Sequence, residues 1–219
     1  MRKFLDVLSS VRLFEGIGEA ELGQLLNCLA AKPAHYEKNE FIFMAGDMPS
    51  SFGIVLSGQV QVFQEDFFGN RSILSSLSVG DLFAESFACA EIESLPVSVV
   101  AAAESELLFI DFRALSSPCG SACSFHRRLI QNLLGIIAMK NINLTQKIEF
   151  ISKRTTREKL MAYLSFEAKK AGSSAFSIPF NRQELADFLS VDRSAMSAEL
   201  SRMRNEGILK YRKNQFELL

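Results

Sequence analysis

The chain has 219 residues, 48% of them hydrophobic, which is enough for one large or two ordinary domains with well-formed cores. Its formal net charge of −1 favours neither an acidic nor a basic partner, and its four cysteines are too few and too scattered for a disulfide scaffold. Because no stretch is long and apolar enough to span a bilayer, and the first residues lack the apolar run of a signal peptide, we expect a cytoplasmic protein.

The N-terminal part of the chain predicts helix and then many short strands. Up to residue 32 the apolar residues recur at helical spacing, as in Leu22, Leu25 and Leu29. From Ala34 the pattern changes to short β-rich runs, at 41–43, 53–56, 60–63, 71–74, 97–100 and 107–110. Glycine-containing turns separate these runs. Short strands at regular spacing predict a small antiparallel roll or barrel.

One long helix is predicted from residue 121 to about residue 151. Its apolar residues lie on more than one face, which a single small barrel cannot cover. A dimer seam between two chains explains the excess apolar surface, and the alternative is a helix packed along its own domain. The expected interface residues are Leu129, Leu133, Ile136 and Ile137.

The C-terminal part predicts three capped helices. Thr155 and Glu158 form a capping box for a helix that runs to about Lys170. Asn181 and Glu184 form a second capping box, and Asp192 is the N-cap of the next helix. The residues expected to face inward from the last two helices are Leu185, Ala186, Phe188, Leu189, Ala195, Met196, Leu200 and Met203. Two short helices joined by a tight turn predict a helix-turn-helix, and a generic helical hairpin is the alternative.

The outward residues of these two helices are suited to DNA. Short polar groups and arginine near the start of the second helix, at Arg193, Ser194 and Ser197, fit base edges and phosphates. The remaining candidate DNA contacts are Arg182, Gln183, Arg202 and Arg204. After a helix stop at Gly207, residues 208–219 read as a hairpin with basic residues at its tip, which makes the motif winged.

Charge is divided unevenly along the chain. Residues 152–219 hold 13 Lys and Arg against 8 Asp and Glu, a balance of +5, and the rest of the chain is at −6. A basic C-terminal module joined to an acidic partner is typical of a DNA-binding domain fused to a domain that avoids DNA.

One group of soft metal ligands occurs. Cys119, Cys123 and His126 fall within eight residues, where a metal or haem iron could use them. The competing interpretation is that both cysteines pack as small apolar residues and the histidine faces solvent. No cofactor is assigned.

The order of β-roll, long helix and winged helix-turn-helix resembles the Crp/Fnr family, the regulators related to the cyclic-AMP receptor protein. The resemblance covers nearly the whole chain and is carried by Gly53–Val62, by Val79–Glu85 and by Arg182–Ala186. It implies an α+β fold with a jelly-roll sensor domain at residues 1–120, a dimerisation helix at 121–151 and a DNA-binding domain at 152–219. It also implies a pseudo-palindromic DNA site, a homodimer and contact with RNA polymerase.

The resemblance implies an effector site in the roll, but three positions depart from the family. Residues 94–98 lack the arginine that anchors a cyclic phosphate, so cyclic AMP is not expected, because a phosphate needs a cationic or N–H partner when buried. Ser190 replaces the usual turn glycine, and Ala198 replaces an arginine that reads a base in many relatives. The effector-pocket candidates are Gly80, Glu85, Ser86, Cys89, Val97 and Ser98.

The sequence therefore predicts a transcription regulator controlled by a small-molecule or redox signal, and not an enzyme. A constitutive DNA-binding dimer with a degenerate sensor is the first alternative. A cupin-like metal enzyme is the second, although the two histidines, His35 and His126, lie outside the predicted strands.

Overall fold

The computed structural model describes residues 4–69, 71–116 and 124–219. By internal contacts the chain divides into two compact units, Met1–Ala138 (unit 1) and Met139–Leu219 (unit 2). The division falls inside the longest helix, so each unit includes part of that helix. None of the helices in the described ranges is long and apolar enough to cross a membrane.

Unit 1 begins with helices and continues as strands. Its helices are α1 (Leu5–Ser10), a 3₁₀ turn (Arg12–Phe14), α2 (Glu19–Cys28), α3 (Glu85–Cys89), α4 (Phe112–Ser116) and the first part of α5 (Ser124–Ile151). Its strands are β1 (Lys32–Tyr36), β2 (Phe41–Phe43), β3 (Ser51–Ser57), β4 (Val60–Glu65), β5 (Arg71–Leu77), β6 (Leu82–Phe83), β7 (Ser98–Ala101) and β8 (Ser105–Asp111). The sequence did not predict β1 or β6, because Lys32–Tyr36 shows no apolar alternation and β6 has only two residues.

The strands form two four-stranded antiparallel sheets, in the orders β1-β8-β3-β6 and β2-β7-β4-β5. This arrangement confirms the predicted antiparallel roll. Because side chains alternate along a strand, β3 sends Ile54 and Leu56 to one side and Val55 to the other. The first side packs against the helices, and the second faces the other sheet.

The space between the two sheets is filled by apolar residues, which we call the inter-sheet cluster. Its buried members are Ile42, Val55, Val60, Phe83, Ala84, Val99, Ala101 and Leu107, with Tyr36, Phe43, Val62, Leu77, Phe87 and Phe109 packed against them. The rings of Phe43, Phe83 and Phe109 meet edge to face, with centroids 5.9–6.2 Å apart. Packing there is so close that a Cβ at Gly53 would lie 2.0 Å from the Phe83 ring.

Helix α5 packs onto unit 1 with one of its apolar faces. Leu129, Leu133 and Ile136 are 0%, 3% and 8% exposed in the helix-facing core. Their assignment to a dimer interface is therefore corrected: the single chain already covers them. The side chain of Asn132 fixes the helix further, since its Nδ2 donates to the carbonyls of Leu13 and Glu15 at 2.9 Å each.

Unit 2 contains three further helices and a small sheet. They are α6 (Thr156–Ala171), α7 (Arg182–Phe188), α8 (Arg193–Asn205), β9 (Ala175–Ser177), β10 (Leu209–Arg212) and β11 (Gln215–Leu218). The sheet order is β10-β11-β9, so the predicted hairpin carries a third strand that the sequence did not reveal. Leu185, Ala186, Met196, Leu200 and Met203 are buried as predicted, whereas Ala195 is exposed and Phe188 is only partly buried.

Candidate nucleic-acid interface and effector site

Helices α7 and α8 form a helix-turn-helix whose N-termini are closed by side chains. Asn181 and Glu184 bond reciprocally, with Asn181 Oδ1 accepting from the Glu184 N–H at 3.0 Å and Glu184 Oε2 accepting from the Asn181 N–H at 2.7 Å. Asp192 Oδ1 accepts from the N–H of Ala195 at 2.8 Å. Both helices therefore begin where the caps predicted.

The turn between the two helices is held in a left-handed conformation. Ser190 has φ +52°, the region in which glycine is usually found. The Nζ of Lys159 on α6 donates to the carbonyls of Leu189 and Ser190 at 3.2 Å each. This lysine satisfies carbonyls that the end of α7 leaves without helical partners, so the turn is fixed from a neighbouring helix.

The outer surface near the start of α8 is exposed. Arg193, Ser194, Ser197 and Ala198 all lie on it, opposite the buried Met196, Leu200 and Met203. The two serine hydroxyls can each donate and accept, and the small Ala198 leaves room for close approach. This surface suits base edges in a major groove, which an α-helix can enter.

An ion-pair network that the sequence did not predict joins α8 to α6. Glu199 is 7% exposed and lies between two guanidinium groups, 3.6 Å from Arg157 and 3.0 Å from Arg202. Arg157 also donates to Glu206, and this hydrogen bond lowers the pKa of Glu206 and raises that of Arg157. Arg202, predicted as a phosphate contact, is therefore partly committed to Glu199, while its side chain remains two-thirds exposed.

The wing packs on α7 and α8 through stacked arginines. The guanidinium of Arg182 lies over the rings of Tyr211 and Phe216, 4.7 Å and 5.2 Å from their centroids, and Arg204 lies 5.4 Å from the Tyr211 ring. Burial lowers the pKa of Arg182, and its Nη2 is buried without a hydrogen-bond partner. This side chain holds the wing in place, and the contact of Arg182 with DNA remains a prediction.

The tip of the wing carries exposed basic residues. Arg212 and Lys213 are exposed, and Lys213 has φ +54° at the tip of the hairpin. A hydrogen bond fixes the side chain of Asn214, whose Nδ2 donates to the carbonyl of Ile178 at 3.1 Å. On α7, Gln183 is exposed and its Nε2 donates to Asp187 at 2.9 Å. The tip of the wing thus presents two cations, Arg212 and Lys213, on a hairpin that Asn214 holds in place. Such cations can contact phosphates beside the groove.

The Gly80–Glu85 turn lies against the roll rather than forming an open cradle. Gly80 has φ +90° and donates its N–H to the carbonyl of Val55 at 2.8 Å. Ala84 has φ +61°, and Glu85 is 3% exposed at the start of α3. The hydroxyl of Ser86 donates to the carboxylate of Glu85 at 3.3 Å.

The other effector candidates, Cys89, Val97 and Ser98, have different surroundings. Cys89 packs against the helix-facing core and not against the inter-sheet cluster, so its expected place in an effector cavity is corrected. Burial, together with Glu85, raises the pKa of the Cys89 thiol to about 11. Val97 is buried, and the hydroxyl of Ser98 accepts from the N–H of Ala45 at 3.0 Å. A thiol with so high a pKa is a poor redox sensor.

Residues 94–98 contain no arginine, so the roll lacks the cationic phosphate anchor at that position. Arg71, on β5, is an arginine that could replace the missing anchor. Its Nε donates to Glu65 at 2.6 Å, and its guanidinium lies 4.4 Å from the Phe63 ring centroid on the outer hairpin. Arg71 is therefore already paired at the surface.

The candidate metal site lies mostly outside the described residues, and metal binding there remains a prediction. Cys119 and Cys123 lie outside the described residues, and His126 is buried in the first turn of α5. His35 lies on β1, contrary to its predicted place outside the strands, and its Nε2 is 3.4 Å from Glu37. Among the described residues no group of three or more His, Cys, Asp and Glu is arranged to hold a metal ion.

A second apolar stripe runs along the exposed side of α5. Its members are Ile130, Leu134, Leu144 and Ile148, which are between 37% and 61% exposed and share one side of a helix with 3.6 residues per turn. Met139 and Ile142 are also exposed but fall on another side of α5. Ile137 is half-buried beside it. The apolar surface left open on α5 is therefore not the set of residues that the sequence assigned to the interface.

Two domain families match the chain. Residues 33–119 match the cyclic nucleotide-binding domain, and residues 158–219 match the Crp-like helix-turn-helix domain. Together the two matches cover about two thirds of the chain, and they coincide with the roll and with the helix-turn-helix.

Individual proteins are similar to this chain over most of its length. The cyclic AMP receptor protein of Thermus thermophilus is 26% identical over 204 residues, which cover 90% of this chain and 88% of that protein. Human cGMP-dependent protein kinase 2 is 24% identical over 213 residues, 94% of this chain, but the chain spans only 26% of the kinase. The solved structure of the c-di-GMP responsive regulator CLP of Xanthomonas campestris aligns with a TM-score of 0.59 over 90% of this chain and 98% of that one. At 19% identity, that likeness establishes the fold alone.

Proposed function

Because this chain belongs to the Crp/Fnr family of DNA-binding transcription regulators, we propose that α8 enters the major groove and reads bases through Ser194 and Ser197. Arg193 contacts a base or an adjacent phosphate at the same end of the helix. Arg202, Arg204 and the wing tip contact phosphates on either side.

The observation that carries this proposal is the exposed start of α8. Its polar residues stand on a helix whose inner face is fully packed and whose N-terminus is capped by Asp192. A fixed helix of this kind can hold hydroxyl and guanidinium groups at constant positions, which bidentate base contacts require. The net positive charge of residues 152–219 supplies the attraction to the DNA backbone.

We predict different effects for Arg193→Ala and Arg202→Ala. Arg193→Ala should cost about 1–3 kcal/mol per half-site on a selected operator, and less on random DNA, if the side chain reads a base. Arg202→Ala should weaken binding to all sequences alike and reduce the dependence of affinity on salt. Fluorescence anisotropy with both DNAs at several salt concentrations separates the two roles.

Lys169→Ala is the matched control, since Lys169 is an exposed cation at the far end of α6. Equal losses on operator and random DNA for Arg193→Ala would make this arginine a phosphate contact and leave base reading to the two serines. Unchanged operator binding in both variants would exclude α8 as the reading helix.

The signal sensed by the roll is, on our proposal, not a cyclic nucleotide. A relative is named as a cyclic AMP receptor, but here residues 94–98 contain no arginine that could anchor a cyclic phosphate. Burying a phosphate without a cationic partner is strongly unfavourable. An effector of this roll would be uncharged or would bind elsewhere on unit 1.

Calorimetry with cyclic AMP and cyclic GMP tests this prediction. We expect no measurable binding, which corresponds to a Kd weaker than about 1 mM. A micromolar Kd would contradict the proposal. In that event Arg71→Ala identifies the source of the counter-charge, because Arg71 must then leave Glu65 to reach the ligand.

A second candidate function is a constitutive DNA-binding dimer whose roll no longer senses a ligand. The tight packing of Phe43, Phe83 and Phe109 between the sheets favours it, because these rings occupy space that a ligand would need. Native mass spectrometry with metal analysis on anaerobically purified protein distinguishes the two functions. A retained small molecule or metal favours the regulated protein, and an empty protein with full operator affinity favours the constitutive one.

The proposed functional form is a homodimer joined along the exposed stripe of α5. Two-fold DNA sites need two reading helices, and dimers are typical of the family. The stripe offers apolar residues that the single chain leaves in water, as at Leu134, Leu144 and Ile148. Bound beside a promoter, such a dimer would contact RNA polymerase as its protein partner.

A further inference from the structure

We infer that a pocket between α3 and α4 is an effector site for a small zwitterion with an apolar body, such as a branched-chain amino acid. The pocket has a volume of about 170 Å³. Its lining comes from the β2–β3 loop, from the end of α3 and from the start of α4: Met48, Pro49, Ser50, Ala88, Glu91, Ile92, Phe112 and Arg113. The residues that the sequence assigned to the effector site are not among them.

Backbone hydrogen bonds hold the walls of the pocket in place. The N–H of Gly46 donates to the carbonyl of Leu95 at 2.9 Å, and the N–H of Leu95 donates to the carbonyl of Asp47 at 2.8 Å. These two bonds join the β2–β3 loop to the segment that follows α3. The N–H of Phe112 donates to the carbonyl of Ser50 at 3.1 Å, which joins the same loop to α4. The pocket is therefore preformed, and a ligand binds it without the cost of ordering these segments.

The less exposed part of the lining is apolar. Pro49 and Ala88 are buried, and Ile92 and Phe112 are partly buried. An apolar cavity of about 150 Å³ accommodates a benzene-sized molecule, so this pocket can take an apolar body of about four to six carbon atoms. A nucleotide is too large for it, since drug-sized ligands need pockets of about 300 Å³ or more.

Two exposed side chains of opposite charge complete the lining. Glu91 lies just after α3, and Arg113 lies in the first turn of α4, so the two charges come from different walls. The carboxylate of Glu91 can accept hydrogen bonds from an ammonium group, and the guanidinium of Arg113 can donate two parallel bonds to a carboxylate. A zwitterion satisfies both groups. A simple anion would be repelled by Glu91, and a simple cation would be repelled by Arg113.

The backbone of Glu91 is strained at this site. Glu91 has φ +49°, a conformation that glycine adopts without strain and other residues do not. Its N–H donates to the carbonyl of Ala88 at 3.3 Å, and the N–H of Ile92 donates to the carbonyl of Phe87 at 3.4 Å, so the end of α3 holds the conformation. A carboxylate kept where glycine would be favoured is explained by a ligand that needs it.

The role of the ligand as an effector rests on the proposed function, because an effector must change DNA binding. The pocket contacts α3 and α4 together, and α5 is the next helix along the chain. A ligand that binds one arrangement of α3 and α4 more tightly raises the population of that arrangement. If that arrangement differs in operator affinity, the ligand and the operator are coupled, and each changes the affinity of the other by the same factor.

Calorimetry of the full chain with leucine tests the site. Leucine has about nine non-hydrogen atoms, so we expect a Kd between about 10 µM and 1 mM. Isoamylamine, which is leucine without its carboxylate, and isocaproate, which is leucine without its ammonium group, should each bind about tenfold more weakly. Loss of this preference for the zwitterion would overturn the assignment of the two charged contacts.

Three variants locate the ligand. Glu91→Gln and Arg113→Gln each remove one exposed charge from the pocket, and Glu93→Gln is the matched control, since Glu93 is exposed two residues after Glu91 and does not line the pocket. Glu91→Gln should weaken leucine binding about tenfold and leave isocaproate binding unchanged, because isocaproate has no ammonium group. Arg113→Gln should weaken leucine binding in the same way and leave isoamylamine binding unchanged. Equal effects of Glu91→Gln and Glu93→Gln would place the ligand elsewhere and overturn the inference.

Operator binding in the presence of saturating leucine tests the effector role. Fluorescence anisotropy should show a change in operator Kd of at least about fivefold, and Glu91→Gln should reduce that change at the same leucine concentration. An unchanged operator Kd would overturn the effector role. No binding of leucine, isoleucine or valine would overturn the site itself and leave DNA reading by α8 standing. A wild-type protein that binds no selected DNA would refute the proposed function, while calorimetry without DNA would still decide whether the pocket binds leucine.

Discussion

Unit 1 and unit 2 differ in the sequence separation of the hydrogen bonds that fix their elements. In unit 1, Asn132 bonds to carbonyls 119 and 117 residues earlier in the chain, and the N–H of Gln59 donates to Ser105, 46 residues away. In unit 2, the caps of α6, α7 and α8 join residues that are three positions apart. Unit 1 is closed by bonds between distant segments, whereas in unit 2 neighbouring residues set where the helices begin and longer-range contacts, such as Arg157 with Glu206, join those helices.

This difference matters for where each unit can place a functional group. A short-range cap fixes the start of α8 without help from distant segments, so the exposed serines keep their positions on the helix. A position inside the roll depends on strand register, because a shift of one residue exchanges Ile54 for Val55 between the two faces of the sheet. The roll's interior is therefore specified only when all its strands pair.

The largest predicted effect breaks the long-range packing of unit 1. Ile136→Glu places a carboxylate in the helix-facing core and should cost about 4 kcal/mol in the free energy of unfolding. Leu134→Glu, two residues earlier, places the same group on an exposed position and should leave the fold of unit 1 intact. It should instead separate the proposed dimer, because two like charges would meet at the seam.

Urea denaturation measures the stability of each variant, and sedimentation measures its oligomeric state. Ile136→Glu is expected to lose the cooperative transition of unit 1, and Leu134→Glu to sediment as a folded monomer. A stable Ile136→Glu protein would contradict the position of this residue in the core. A dimer that survives Leu134→Glu would show that the exposed stripe is not the seam.

The sequence separation between contacting residues explains which parts of the structure were predictable from the sequence. Asn181, Glu184 and Asp192 located the starts of α7 and α8 correctly, because capping is a local interaction. The burial of Glu199 was not predictable, since it depends on Arg157 in another helix, 42 positions away in the chain. The side on which Cys89 packs depends in the same way on the fold of the whole roll.

Helix α5 illustrates a limit of apolar periodicity. The sequence indicates correctly that apolar residues lie on more than one face of this helix. It does not indicate which face the same chain covers, because α1 and α2, which contact it, lie more than 90 residues earlier. Leu133 and Leu134 are chemically alike, yet the first is buried in unit 1 and the second is 61% exposed.

The smallest predicted effect concerns the local geometry of unit 2. Ser190 has φ +52°, where a side chain is strained by about 1 kcal/mol or more and glycine is not. Ser190→Gly should therefore raise the free energy of unfolding by about 0.5–1 kcal/mol, after the greater entropy of glycine in the unfolded chain is subtracted. Ser197→Gly makes the same change inside α8 and should instead lower stability by about 0.5 kcal/mol. Thermal denaturation of both variants measures the difference. If both substitutions destabilise the protein equally, the turn stores no strain, and the bonds from Lys159 to the carbonyls of Leu189 and Ser190 determine its conformation.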